Sequence, residues 1–548
     1  MLSRCFAGVF ALCVLGGVAV GLDGVVGEGK PAKGVAIVDG KEVAVPAIAM
    51  GDAGTIARIL DEAKNRSQVM AHLRHLSENG PRLTGSARLE AANRWCQGQF
   101  ELWGLTGARM EEWGTIATRF DRGPSRATIV LRDEREKDGA KVVEYKKIRE
   151  MEFSSPSWTR GTGENGVGGL VRGPVVKAPG NEEEYAAVKD RLKGAWVLIP
   201  AEPAVGMRGV RSRLSATYEA RAEARKKVSE GTAASEIPLP QRMIFDGVAG
   251  FISTTRDERV WTGAVGGWRE RRLEEVPGDI QIVVRLSDYD CINSRLADGE
   301  PVEVEVDMNH TLTAGPIPCY NTIAEIRGTE KPEEVVIVSA HLDSWDGPGS
   351  QGTTDNGTGS AVVLEAARLL MAAGAKPKRT IRFIHWTGEE QGLLGARAYV
   401  EKHKEELLRT VSACFVDDGG TDSQGGLPAA SNMVEYLAAA TAAVNNQFFD
   451  AVDGKYLNVN IRNTGKTVET HGSSDHAAFN AVGIPGFFWD EVGRADYGHG
   501  WHTQNDRIDL AVESYLVQSA ACSAITAYNL ACAPELLPRA VKEEEKKE

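Results

Sequence analysis

The sequence is short of positive charge. Its 63 Lys and Arg are outnumbered by 76 Asp and Glu, which leaves a net charge of −13. A chain with that balance lacks the basic footprint that gripping a phosphate backbone requires, so nucleic acid is excluded as a partner. It also has no CxxC pair. Beyond the first 22 residues, Cys96, Cys291, Cys319, Cys414, Cys522 and Cys532 are scattered without framework spacing. That excludes a structural zinc site built on thiolates and leaves any disulfide pairing open. Long hydrophobic runs are missing after the N-terminus, so no later segment can cross a bilayer. With 42% hydrophobic and 25% charged residues, the chain is neither a collagen, a coiled coil nor disordered throughout.

At roughly 150 residues per domain, 548 residues allow three or four domains. Residues 1–22 begin with Arg4, run apolar from Cys5 to Leu22, and place Ala19 and Gly21 in a small-x-small pattern. This is expected to be a cleaved signal peptide, with no membrane insertion afterwards, which puts the mature chain in a secreted or periplasmic setting. Residues 23–54 read as a flexible entry segment. From Thr55 the spacing turns helical in IARILDEAKN and MAHLRHLSE, followed by the turn ENGPRLTGS. Residues 115–160 read as strands broken by a charged connection, RDEREKDGAK. Residues 166–306 are short β-rich runs between Gly and Pro turns, interrupted by a charged stretch near 208–230. From Thr322 buried strands alternate with helices: VVIVSAHLD, SAVVLEAARLLMAAG, TIRFIHW, GLLGARAYVEKH, SACFVDD and GIPGFFWDE. The expected fold is therefore α/β, a mainly parallel mixed sheet flanked by helices, with active-site groups at the C-terminal ends of the strands. The tail 536–548 reads as solvated charge.

Acids and imidazoles cluster at those strand ends. His341 and Asp343 close the first strand, Asp355 precedes a helix, Glu389 and Glu390 close TIRFIHW, and Asp417 and Asp418 close SACFVDD. His502 lies in the loop GHGWHTQND. Two imidazoles and several carboxylates form a donor set that suits zinc and leaves room for water. A two-metal site needs one shared carboxylate and about two further ligands per ion, a count that His341, Asp355, Glu390, Asp417 and His502 meet. Asp343, two residues from His341 on a strand, shares its face and is placed to orient the imidazole. Adjacent glutamates cannot easily serve one ion together, so one of Glu389 and Glu390 binds metal while the other stands over the bridging water as base. Asp417 is preferred to Asp418 because it directly follows the apolar strand residues. His385 and His476 read as structural.

Taken in order, HLDSW, TTDNGTGSAVVLEAARLL, WTGEEQGLLGARAYV, SSDHAAFNAVGIPGFFWDE and HTQND resemble the M28 family of zinc exopeptidases. LSENGPRLTGSARLEAANRW resembles that family's opening helices, and residues 166–306 resemble the protease-associated domain often inserted there. The resemblance implies a peptidase domain in two parts, 55–165 and 307–535, around the insert. It also implies two zinc ions bridged by Asp355, one completed by His341 and Asp417, the other by Glu390 and His502. Glu389 becomes the general base, and a cis peptide follows the bridging carboxylate, at Asp355–Asn356. Trp501 stands where many members carry a Tyr that supports the oxyanion, leaving Tyr497 and His499 as substitutes. Short peptides are the expected substrates, with a homodimer as a possible assembly. Two competing readings are a non-catalytic binding protein on the same scaffold and a one-zinc acyl transferase resembling glutaminyl cyclases.

Overall fold

The computed structural model describes residues 34–163, 166, 168–201, 219–465 and 473–540. The expected signal peptide, residues 208–218 of the charged 208–230 stretch and the last eight residues lie outside them. One mixed sheet of 12 strands carries most of the architecture. Its parallel part comprises Gly486–Phe488, Val411–Val416, Lys331–His341 and Arg379–Trp386, side by side in that order. These strands are continuous apolar runs because both faces are covered, as parallel pairing demands. Helices Thr358–Ala372 and Glu513–Cys532 pack on one face and are buried along nearly their whole length. Helices Ala53–Arg66, Val69–Glu78 and Ala87–Leu102 lie where the spacing predicts them, and side chains of Asp52 and Ser86 cap the first and third.

Beyond Arg379–Trp386 the sheet continues antiparallel through the 25-residue strand Val302–Ile326. That strand pairs along its length with the 32-residue strand Thr106–Lys137. Its first residues also pair with Val171–Lys177, which leads into Trp196–Leu198, Gly250–Thr254 and Gln281–Val284. The β-rich segment thus has its own apolar core, including Trp196, Ile252 and Val284, which it shares with Val302–Met308. Val302–Ile326 runs straight across the expected boundary at 306, so no linker separates the segment from the rest.

Two expectations are corrected here. Residues 36–38 and 41–43, placed in a flexible entry segment, form strands of a second, five-stranded sheet, with Ala36–Val38 parallel to Asn460–Asn463. The charged RDEREKDGAK is not a connection. It continues the strand to Lys137, turns only at Asp138-Gly139, and returns as Ala140–Met151. Both turn residues take positive φ, 54° and 78°, as a two-residue hairpin requires. Its alternation was hidden because residues 134–147 are all exposed, on both faces of the ribbon. The six described cysteines form no disulfide, and no described helix is long and apolar enough to cross a membrane.

Candidate metal centre

His341 ends its strand with the ring fully buried. Its Nδ1 donates to the backbone carbonyl of Asp343 at 2.9 Å, which fixes the tautomer and turns the Nε2 lone pair inward. Nε2 then lies 2.9 Å from Asp418 Oδ1 and 3.2 Å from Asp355 Oδ1. The other oxygen of Asp355 faces the second imidazole, with Oδ2 2.8 Å from His502 Nε2. His502 Nε2 is also 2.9 Å from Glu390 Oε2. Two triads result, His341–Asp355–Asp418 and Asp355–Glu390–His502, each with ligand atoms within 4.8 Å of one another. Asp355 belongs to both.

The shared carboxylate sits at the start of helix Thr358–Ala372, and the peptide bond after it, Asp355–Asn356, is cis. Asn356 Nδ2 donates to the carbonyl of Asp417 at 2.7 Å, tying this turn to the neighbouring strand end. Glu389 Oε2 is 4.0 Å from His341 Nε2, beside the first triad but a member of neither. Glu390 is turned the other way, its Oε1 accepting the amide of Trp345 at 2.9 Å. Trp501 stacks on the His502 ring at a 4.2 Å centroid distance.

Asp417 is not among these ligands, contrary to the sequence expectation. Its Oδ2 accepts from Gln424 Nε2 at 2.6 Å, away from the histidines, while Asp418 supplies the oxygen at His341. Successive side chains leave a strand end on opposite sides, and adjacency to the apolar residues does not say which side holds the site. Asp343 lies against the His341 imidazole, as expected, and has further partners. Its backbone carbonyl accepts His341 Nδ1 and its Oδ1 lies 3.7 Å from the same nitrogen; the carboxylate also accepts Thr84 Oγ1 at 2.9 Å and the amides of Glu389 and Glu390, each at 3.3 Å. Asp343, fully buried, is therefore a positioning residue for the paired glutamates as well as for His341. His385 is structural, its Nε2 bonded to the Ser360 carbonyl at 3.0 Å and its ring stacked on Phe100.

Two acids carry roles that the sequence reading did not assign. Asp506, in the quoted HTQND, accepts Thr354 Oγ1 at 2.8 Å and the Thr354 amide, so it fixes the turn that aims Asp355. Burial, with Asp355 adding, pushes its carboxyl up to about 7. Asp475, in the quoted SSDHAAF, is fully buried and neither of its oxygens accepts a hydrogen bond from the described residues. A motif marks such residues only as present; their facing partners come from other elements.

The electrostatics describe a charged cluster in want of cations. Burial opposes charge on His341, yet Asp418 and then Glu389 hold its pKa well above the usual range. Burial likewise opposes ionisation of Asp355, but His502 and His341 keep its carboxyl far below the ordinary value. Burial drives Glu389 well up, against His341, with Asp418, Asp475 and Glu390 adding. Burial raises the Tyr497 phenol too, with Asp355 and Asp418 adding, which places that ring in the field of the site. Four buried carboxylates against two imidazoles is costly without compensating charge. Moreover, Asp355 Oδ2 receives no aligned hydrogen bond although His502 Nε2 is 2.8 Å away. Lone pairs converging on shared points, in a nitrogen and oxygen donor set, fit two divalent ions such as zinc.

Comparison with known proteins agrees with the fold. The crystal structure of a peptidase M28 precursor from Shewanella amazonensis SB2B aligns over 89% of this chain and 99% of its own, with a TM-score of 0.57 and 21% identity. Residues 321–524 match the family model described as Peptidase family M28. That stretch is similar to an M28 peptidase domain, which is the class the match points to. Among curated proteins the chain is similar to carboxypeptidase Q. It is 28% identical over 278 residues to the Xenopus laevis protein and 30% identical over 258 residues to that of Homo sapiens. Those alignments cover 50% and 47% of this chain and 54% and 50% of the relatives, so the chain spans about half the length of the curated relatives it matches.

Proposed function

We propose that this protein is a secreted or periplasmic di-zinc exopeptidase acting on short peptides; relatives named carboxypeptidase Q and probable leucine aminopeptidase support the exopeptidase part of that reading. The observation that carries the proposal is the pair of triads sharing Asp355, with Glu389 4.0 Å from His341. His341, Asp355 and Asp418 would hold one ion, and Asp355, Glu390 and His502 the other. Bound there, the ions would supply an acidified water and a Lewis acid for the scissile carbonyl. Glu389 takes the proton of the attacking water and returns it to the leaving amine, and its raised pKa suits a group that must both accept and give. Asp343 keeps the Glu389–Glu390 backbone in place so that one glutamate binds and its neighbour shuttles the proton. Tyr497, near the cluster, is the phenol available to an oxyanion where Trp501 occupies the position before His502.

The presence of every ligand and of the base favours an enzyme over a binding protein. The insert 166–306, which we assign as protease-associated-like, together with two complete triads, favours the peptidase over a one-zinc acyl transferase. A panel of dipeptides, amino-acid anilides and end-blocked peptides, assayed with and without chelator, tests the reading. Hydrolysis of unblocked short substrates, lost with chelator and restored by zinc, is expected. Cleavage of blocked peptides at internal bonds would refute the exopeptidase assignment.

A further inference from the structure

The two triads differ in what holds their ligands in place. His341 stands at the end of a laddered strand opposite Trp386, and Leu342 N donates to the Trp386 carbonyl at 2.7 Å. Asp418 follows the neighbouring strand by two residues. His502 has no strand beneath it. It sits in a loop with φ 58°, a left-handed backbone that a non-glycine residue adopts only when its surroundings enforce it.

Those surroundings come from the β-rich segment, outside the matched residues 321–524. The His502 carbonyl accepts two hydrogen bonds from one residue, the Thr262 amide at 3.0 Å and Thr262 Oγ1 at 3.2 Å. Two residues on, Gln504 Oε1 accepts the Val260 amide at 2.7 Å, and its Nε2 donates to the Glu258 carbonyl at 3.0 Å. Trp261 and Thr503 form an antiparallel bridge between these contacts. Thr262 also presses on the loop between His341 and Asp355, where a Cβ added to Gly347 would come within 2.4 Å of Thr262 Cγ2. Thr262 is buried at 1% exposure. One side chain thus touches both loops that flank the shared carboxylate.

We propose that Thr262 is a positioning residue for His502, and that the Asp355–Glu390–His502 subsite depends on the β-rich segment more than the His341–Asp355–Asp418 subsite does. The inference rests on the two-metal reading above. A ligand on a strand end is ordered by the sheet, whereas a ligand on a loop must be ordered by whatever grips the loop. The two ions therefore leave the protein separately, the one at His502 first.

The test is metal content per chain, by elemental analysis of the full-length protein dialysed against stepped chelator concentrations. Wild type is expected to lose its ions in two steps. Thr262→Val, which keeps size and amide but removes the hydroxyl, should weaken the first step about tenfold and move the second less. Thr262→Ser should restore it, and Gln504→Met should shift the same step. Ser360→Ala removes a hydroxyl donated to the His341 carbonyl at 2.7 Å, but the ladder still holds that strand, so the second step should move less than Thr262→Val moves the first. Equal shifts of both steps, or a lowered Tm with neither step moved, in both Thr262→Val and Gln504→Met would overturn the proposal. Wild type binding a single ion would instead refute the two-metal reading.

Discussion

Replacing Asp418 with Asn, and separately Asp417 with Asn, probes the point where the structure departs from the sequence expectation. Asp418 Oδ1 lies 2.9 Å from His341 Nε2 in a largely buried site, so the substitution removes a buried anion that faces the proposed ion position. Deleting one partner of a buried charged set costs about 3–5 kcal/mol. At about 1.4 kcal/mol per tenfold, that is roughly a 10²- to 10³-fold loss of affinity for the ion it serves. Asp417 faces Gln424, and Asn keeps an oxygen for that 2.6 Å hydrogen bond. Its carboxyl is pushed up to about 6 by burial, with Gln424 opposing and Asp418 adding, so the charge it gives up is one the fold tolerates poorly. Metal affinity of Asp417→Asn should therefore stay within about tenfold of wild type, the lower range for groups outside the ligand set. The assay is metal per chain after gel filtration, with chelator competition for affinity and dipeptide hydrolysis for activity. Loss of metal from Asp417→Asn with retention in Asp418→Asn would refute the ligand assignment.

Glu389→Gln should keep both ions and lower kcat by about 10²- to 10⁴-fold; unchanged kcat, measured with metal content, would remove Glu389 as the base. Asp343→Asn turns an NH2 toward one of three donors, Thr84 Oγ1 and the amides of Glu389 and Glu390. Activity should fall about 10- to 100-fold with the fold intact by circular dichroism; full activity would show that the paired glutamates need no such support. Away from the site, His310 is buried between Thr159 and Arg122, and burial, then Arg122, holds its pKa down to about 3. The unfolded chain takes up that proton near pH 6.5, so stability is fully present above 6.5 and is lost as pH falls toward 3. The loss should reach about 2 kcal/mol by pH 5. Urea unfolding across pH 4–7 should show a shallower acid limb for His310→Gln, and parallel curves for the two proteins would refute the assignment.

How much was legible in the sequence follows from what each signal depends on. The parallel core was readable because strands buried on both faces are continuous apolar runs bounded by turns, and helices Ala53–Arg66 and Val69–Glu78 because one buried face repeats at three and four residues. The charged ribbon 134–147 was not, since exposure on both faces erases the alternation that marks a strand. The short strands 36–38 and 41–43 carry little local pattern, and the first of them forms against Asn460–Asn463, more than 400 residues away in sequence.

The negative charge, the scattered cysteines and the ordered acids and imidazoles by themselves determined the chemical class: carboxylate and imidazole ligands at strand ends, with a glutamate pair to divide between metal and proton. Residue type sets what a group can bind. Which neighbour faces His341, Asp418 or Asp417, was decided only by how the strand Val411–Val416 leaves the sheet. The same holds for the carboxylate of Asp343, whose partners Thr84, Glu389 and Glu390 come from two other parts of the chain. It holds most for His502, whose backbone is held by Thr262, 240 residues away. Hydrogen bonds act over about 3 Å in space and take no account of separation along the chain, so only the tertiary structure could assign them.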